Sequence, residues 1–579
     1  MFNKYYQDEL TYLRQLGREF AAAYPQIGHM LAEDGADPDV ERLLEGFAFL
    51  SGRVRQRLDS ELPELTHAFV GLLWPHYLRP VPAMTILQFE PAMTMQDVQT
   101  IPRGTEVESK PIDGTRCRFR TTSDVRLYPF VIDSITLDVP LRTAAQLRLS
   151  FSVSEKASLA DLELTSLRLH LHGEAASSND LYLWLCRHTR AIIYRSGSRE
   201  IRIDNQEVRP VGFDDQDVLL PYPSHAFPGY RLLQEYFALP EKFHFVEIPD
   251  IAPLCGMEVE GSFEIAFEFD THPPDRLRVN PGSVRIGCSP AVNLQRIRSA
   301  PIRVDFDKTE YRVRADAPNP EHFEIFSIDR VIGWQRGTVK EREYPPFFSY
   351  GFDPAIGTAE YYQLRLRPAS VGSGTETYLS FVAHGEDGAM PSTETVAVEL
   401  TCSNRNLCEK LRVGDVCIGT SQSPSFAAFK NISRITQSVA PPLEGKLLWR
   451  LISHMSLNYL SLMETTTLRG ILSLYNFQAL ADRQVARANE LRLSGIKTLS
   501  ARAEDILRHG AVFRGVAIDM RMQEDCFASE GEMYLFASVL NHFLNLYAAV
   551  NSFTRMTVRG VQQGGVYEWP PMMGQQILL

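Results

Sequence analysis

His170 and His172 stand two residues apart in the run Leu167-Arg168-Leu169-His170-Leu171-His172. On a strand that spacing points both rings to one face, the first requirement of a metal-binding pair. Arg168 shares the face and would repel a cation, and no Cys or acid is patterned nearby. The pair therefore reads as a solvated or interface strand face, and no metal is expected. Glu264, Glu268 and Asp270 offer carboxylates of the kind that flank a glycosidic bond during sugar hydrolysis, though a row of acids on a strand is also what a solvent face looks like. His542 interrupts an apolar run and reads as a hydrogen-bonded core histidine, with Asn541 and Asn545 suited to an interhelical polar contact. Asp305 to Glu310 begins like a calcium loop, but Glu310 occupies the sixth position, where the sharp turn needs glycine. Gly445-Lys446 lacks the upstream glycine of a phosphate loop, and there is no dinucleotide fingerprint, nucleophile elbow or H-E-x-x-H helix. The tightest set among the 8 cysteines, Cys402, Cys408 and Cys417, has no zinc-knuckle spacing, so reduced structural thiols are expected. No catalytic residue and no cofactor follow from these patterns.

Residues suited to meeting another protein stand out more clearly. Tyr6, Leu10, Leu13, Gly17, Phe20 and Tyr24 follow the alternating four- and three-residue steps of a heptad seam, with Gly17 where a neighbouring backbone can come close. Such a seam fits either a helix packed on its own domain or an intermolecular bundle. Trp74, His76, Tyr77 and Arg79, in Trp74-Pro75-His76-Tyr77-Leu78-Arg79-Pro80, are amphipathic side chains of the kind that anchor interfaces. The same segment would serve equally as a hydrophobic joint between domains. Pro221 to Tyr236 mixes aromatics and prolines and suits a packed loop or a docking edge.

The elements that position these residues divide into three periodic regimes. Residues 1–82 read as an N-terminal helical or bundle region. Asp37-Pro38-Asp39 starts a helix whose predicted buried stripe is Val40, Leu43, Leu44, Phe47, Leu50, Val54 and Leu58. A further helical run from Leu65 to Trp74 stops at Pro75. From Met84 to Thr436 the period becomes two, as in Phe263, Ile265, Phe267 and Phe269 or Val396, Val398 and Leu400. This predicts antiparallel sandwiches or barrels, divided into 83–228 and 229–438, with a short helix from Tyr230 to Leu239. After Pro441-Pro442 helical spacing returns through Leu448, Leu451, Ile452, Met455, Tyr459 and Leu462. A late helix, Met533 to Val550, is expected to be buried nearly all round, with strands over Ala511 to Met522 and Phe553 to Val561. The fold class is α+β multidomain: an N-terminal helical region, central antiparallel β-rich sandwich or barrel domains, and a C-terminal helical α+β domain over 439–579.

Composition narrows the function classes. With 579 residues and 44% hydrophobic content the chain is ordinary globular protein, long enough for several cores. A net charge of −12 disfavours a general nucleic-acid binder. Phe536 to Val550 is broken by Ser538, Asn541, His542 and Asn545, so no membrane insertion is expected, and acids and amides arrive before any apolar run of signal-peptide length.

Longer motifs carry a family resemblance. Phe2-Asn3-Lys4-Tyr5-Tyr6-Gln7-Asp8-Glu9-Leu10, the stretch from Gly35 to Leu50, Pro63-Glu64-Leu65-Thr66 and Trp74 to Pro80 resemble the TssF baseplate subunits of bacterial type VI secretion systems. Cys288 to Leu294, Ser403-Asn404-Arg405-Asn406-Leu407 and Trp449-Arg450-Leu451-Ile452-Ser453 extend the resemblance over nearly the whole chain. It implies a structural, non-enzymatic subunit of a wedge in which two TssF copies join one TssG, TssK and TssE. Wedges then surround the VgrG hub in the cytoplasm, at the inner face of the membrane, and sheath and inner tube grow on them. The classes set against this are a β-sandwich carbohydrate-active enzyme, which would depend on Glu264 or Glu268, and a stand-alone ligand-binding module.

Overall fold

The computed structural model describes residues 6–7, 10–13, 38–59, 63–92, 94–155, 157–223, 226–257, 261–305, 307–335, 341–347, 361–369, 374–382, 393–443, 447–448, 451, 462–508 and 511–574. The chain divides into two compact units, Met1–Leu73 with Pro442–Ser453 and Trp74–Pro441 with His454–Leu579.

The first unit is helical. Residues 6–7 and 10–13 are helix, followed by α1 (Pro38–Asp59) and α2 (Pro63–Leu73). Pro38 and Pro63 open their helices, where the missing backbone N–H sacrifices no intrahelical bond. Ala48, Val70, Leu448 and Leu451 are among the unit's buried side chains. The chain thus returns to this unit after the whole β-rich region. Most of the expected 448–462 helix lies outside the described residues.

The second unit begins at Trp74 and is mainly antiparallel sheet. A six-stranded, nearly barrel-like sheet runs in the order Val416–Gly419, Glu106–Ser109, Arg118–Thr121, Cys288–Val292, Met84–Pro91, Ala427–Asn431. Inward residues of these strands, Leu87, Phe89, Val107, Phe119 and Val416, share one core with Cys117 and Cys408. All eight cysteines are free thiols. This sheet draws strands from both sides of the expected 228/229 division, because its neighbours are chosen by core packing and not by order along the chain.

A five-stranded sheet of Arg199–Asp204, Thr189–Ser196, Ser262–Phe269, Gln146–Val153 and Phe130–Asp138 buries Phe263, Ile265, Phe267 and Phe269 as their period-two spacing predicts. Phe151 stacks on Phe263 with ring centroids 4.7 Å apart. Beside it, Leu167–Leu171 lies between Phe245–Ile248 and Val284–Arg285. A further sheet pairs Gln295–Arg298 and Ile302–Val304 with Glu394–Ser403, which in turn pairs with Glu324–Gln335.

Helices α3 (Ala175–Arg187), α4 (Pro228–Ala238), α5 (Thr465–Leu474), α6 (Arg483–Gly495) and α7 (Glu530–Leu546), with the single turn Gln478–Ala481, belong to the same unit. Ser529 caps α7 by accepting the Glu532 N–H at 3.3 Å. The helix packs on α3 and α4 and is buried on nearly all sides, as its apolar content predicts. It also connects Ala511–Met522 to Phe553–Gly560, the one parallel pair among the described strands, since a parallel neighbour requires a crossover.

Candidate protein interface

Helix α1 has two apolar faces, and the structure buries the less obvious one. Ala48 and Gly52 are buried with Leu44 and Ser51 half-buried beside them, a small-residue seam that lets another backbone come close. Leu43, Phe47 and Leu50, spaced four and three apart along a separate face about a third of a turn away, remain 73%, 61% and 63% exposed. The predicted buried stripe is therefore corrected at Leu43, Phe47 and Leu50, which point to solvent, while the side chains of Val40, Val54 and Leu58 lie outside the described residues; four- and three-residue spacing marks an apolar face without saying what covers it. On α2, Phe69 and Leu72 are also exposed while Val70 is fully buried. The sequence pattern does not single these two out; their apolar character within the predicted Leu65 to Trp74 helical run is the signal that points to them.

Of the N-terminal seam, Tyr6, Leu10 and Leu13 are half-buried with Tyr12 exposed beside them. Gly17, Phe20 and Tyr24 lie outside the described residues. The first unit thus presents exposed Leu43, Phe47, Leu50, Phe69 and Leu72. Covering each large apolar side chain would contribute about 1.5–3 kcal/mol.

The Trp74 to Pro80 segment behaves differently. Pro75–Leu78 forms a turn of 3-10 helix, and His76 and Tyr77 are buried inside the second unit. Tyr77 donates its hydroxyl to the Leu474 carbonyl at 3.2 Å and lies 4.9 Å from the Phe477 ring. His76 packs 4.5 Å from Tyr222, and Tyr230 stacks on Tyr475 at 4.8 Å. The Tyr547 hydroxyl donates to that of Tyr230 at 2.6 Å, which ties α7 to the cluster. His76 and Tyr77 are thereby placed in an internal aromatic joint, out of a partner's reach in this chain, and the Pro221 to Tyr236 segment supplies its other wall. Trp74 and Arg79 are half-buried; Arg79 donates to the Pro221 carbonyl at 3.2 Å with its guanidinium over the Phe326 ring.

The residues considered for chemistry are tied into structure. Glu264 accepts from Arg195 at 2.7 Å, Glu268 from Arg202 at 2.7 and 2.9 Å, and Asp270 meets His188 at 2.9 Å. The hydrogen bonds from Arg202 hold the Glu268 carboxyl below the ordinary carboxylate range, the opposite of what a proton-donating glycosidase acid needs. His170 is not on a wet face: it is buried against Phe245 at 4.4 Å, and burial depresses its pKa well below the usual histidine value. His172 is half-buried, its ring 6.0 Å from that of His170. Among the described residues no three His, Cys, Asp or Glu side chains gather as metal ligands would. His542 stacks on Phe213 at 4.2 Å. Asn541 and Asn545 reach the Met572 sulfur and the Met573 carbonyl, so their contacts run from helix to terminal strand and not between helices.

Comparison with known proteins gives this arrangement its context. The family profile described as type VI secretion system, TssF, matches residues 1–576. The type VI secretion system component TssF1 of Pseudomonas aeruginosa is 30% identical over 99% of this chain and 98% of its own length. A chain of the TssK-TssF-TssG baseplate subcomplex solved by cryo-electron microscopy superposes with a TM-score of 0.77 at 29% identity, covering 93% of this chain and 99% of that one. A chain of the type VI secretion baseplate complex gives 0.66 at 28% identity, with 100% of both chains covered. Similarity that covers residues 1–576 leads to one assignment: the chain belongs to the TssF family of type VI secretion baseplate subunits.

Proposed function

We propose that this chain is a structural component of the baseplate wedge, in which its first unit supplies apolar helical faces to neighbouring subunits. In this reading two copies join one TssG, and TssK and TssE complete the wedge. Wedges ring the VgrG hub in the cytoplasm, at the inner face of the membrane, where sheath and inner tube polymerise. Likeness to a chain of a TssK-TssF-TssG subcomplex supports TssG and TssK among these partners. The observation that carries the reading is the uncovered stripe of Leu43, Phe47 and Leu50 on α1. Tyr6, Leu10 and Leu13, continued by Gly17, Phe20 and Tyr24, are assigned to the same bundle, with Trp74 and Arg79 at the edge of the second unit. The sheets hold spacing while helical contacts repack at firing, which needs two packings within a few kcal/mol of each other.

The test is co-expression of the full chain with TssG and native mass measurement of the purified complex. Leu43→Glu with Leu50→Glu removes two apolar contacts and buries charge in their place, so complex stability should fall by roughly a hundredfold or more. The urea midpoint of the isolated chain should be unchanged, because both side chains already face water. A complex of unaltered mass and affinity would remove α1 from the assembly. Leu10→Glu with Leu13→Glu tests the N-terminal seam in the same way.

A further inference from the structure

A chain with net charge −12 carries in its second unit a cleft of about 670 Å3 with walls that bear arginine. Arg120 enters from the Arg118–Thr121 strand, and Arg296 and Arg298 from the neighbouring Gln295–Arg298 strand. None of the three guanidinium groups makes an ion pair or hydrogen bond among the described residues, although Glu106 and Glu399 stand opposite Arg120 and Arg298 in the strand registers. Two further arginines are close by, Arg103 near Arg120 and Arg79 near Asp329, each anchored on backbone carbonyls: Arg79 on Pro221, Arg103 on Gln216 and Val218. Three acids stand against this charge. Glu106, opposite Arg120 in the strand register, is already paired with Arg118 at 3.1 Å. Asp329 is already engaged by the hydroxyls of Ser327 at 2.8 Å and Thr401 at 2.7 Å, and Glu399 sits opposite Arg298 across the ladder. Burial and then repulsion from Arg296 disfavour the charge on Arg120, against attraction from Glu106 and Asp329. Arg79, Arg103, Arg120, Arg296 and Arg298 together outnumber Glu106, Asp329 and Glu399, so the site is cationic.

The placement of the charges says what would balance them. Arg296 and Arg298 are two apart on one strand, so they share a face about 7 Å from each other. Alternate side chains of an extended peptide repeat at the same distance. Guanidinium pairs well with carboxylate through two parallel hydrogen bonds. A long polyanion such as nucleic acid would meet the negative remainder of the molecule, whereas a short acidic segment need only meet the cleft. We propose that this cleft docks an extended acidic segment of a partner protein, with alternate carboxylates on Arg296 and Arg298 and a further one on Arg120. The proposal is independent of which proteins cover the helical unit.

The experiment titrates the full chain into a fluorescein-labelled peptide of alternating serine and glutamate, with an alternating serine and lysine peptide as control. Saturable binding that weakens between low and about 0.3 M salt is expected. Arg296→Glu with Arg298→Glu should weaken it roughly tenfold or more, and Arg142→Glu, exposed outside the cleft, should leave it unchanged. The neutral pair Arg296→Gln and Arg298→Gln serves if the charge reversal lowers the unfolding midpoint. Absence of peptide binding, or equal binding by the double variants, overturns the proposal. So does cleft-dependent binding of inorganic pyrophosphate or of a DNA oligonucleotide when the glutamate peptide is ignored, since that would make the cleft a phosphate site.

Discussion

Glu235 on α4 and Lys242 form an ion pair with both side chains almost wholly out of water. The carboxylate also accepts the N–H groups of Leu219 at 2.9 Å and Leu220 at 3.2 Å, so it organises the loop that leads to the aromatic joint. Removing one partner of such a pair strands the other charge in the interior. Glu235→Ala should therefore cost about 3–5 kcal/mol, read as a lower urea midpoint, and Glu235→Leu with Lys242→Met should cost less than the single change. A second residue-scale prediction concerns pH. His244 is buried, its Nε2 lies 2.8 Å from the Asn179 side-chain oxygen, and burial together with nearby His172 lowers its pKa to about 4. A depressed histidine favours the folded state only while neutral, so its contribution is complete above the unfolded value of ~6.5 and is lost as pH falls from there towards 4. Unfolding midpoints should drop over that window, and His244→Gln should flatten the slope. The histidine environments were hidden from the sequence for one reason. Leu167–Leu171 alternates like a half-exposed strand, yet it is an inner strand whose second face buries His170 and half-buries Arg168, so alternation no longer reports exposure.

At the scale of elements the sequence was more readable. Ala511–Met522 and Phe553–Gly560 lie where their alternation placed them, and α4 begins two residues before its expected start. Long regular runs carry enough repeats to identify a strand or a helix. What such runs do not carry is how closely two elements approach. At Gly531 a Cβ would stand 2.1 Å from the Asn179 carbonyl oxygen, and the glycine N–H is held by Asp180 at 3.0 Å. The first turn of α7 is thus pressed against α3 with no space for a methyl group. Gly531→Ala must push the helices apart, and a loss of about 1–3 kcal/mol is expected despite alanine's higher helix propensity. Urea unfolding followed by circular dichroism measures it; a stabilised variant would show that the two helices can separate freely. The α1 stripe teaches the complementary lesson. Its spacing revealed an apolar face, but the small Ala48 and Gly52 on a separate face won the intramolecular contact.

Across the whole molecule, the fold class and the succession of helical, β-rich and mixed regions were legible, and the partnering of distant strands was not. Met84–Pro91 has Cys288–Val292 on one side and Ala427–Asn431 on the other, a choice made by shape in a shared core that local pattern cannot encode. The first helical unit likewise closes only with Pro442–Ser453. Such architecture suits a baseplate subunit, since sheets stitched from remote segments resist being pulled apart piecemeal. It also sets a timetable at the ribosome. The Thr85 hydroxyl bonds the Ser433 carbonyl, a partner 348 positions downstream. At ordinary elongation speeds of ~5–20 residues per second, the nascent Met84–Pro91 strand must wait roughly twenty seconds to a minute for its last neighbour, with both flanks open until Cys288–Val292 has been made and one thereafter. Nascent chains of this subunit should consequently be heavy clients of ribosome-associated chaperones until translation passes Asn431.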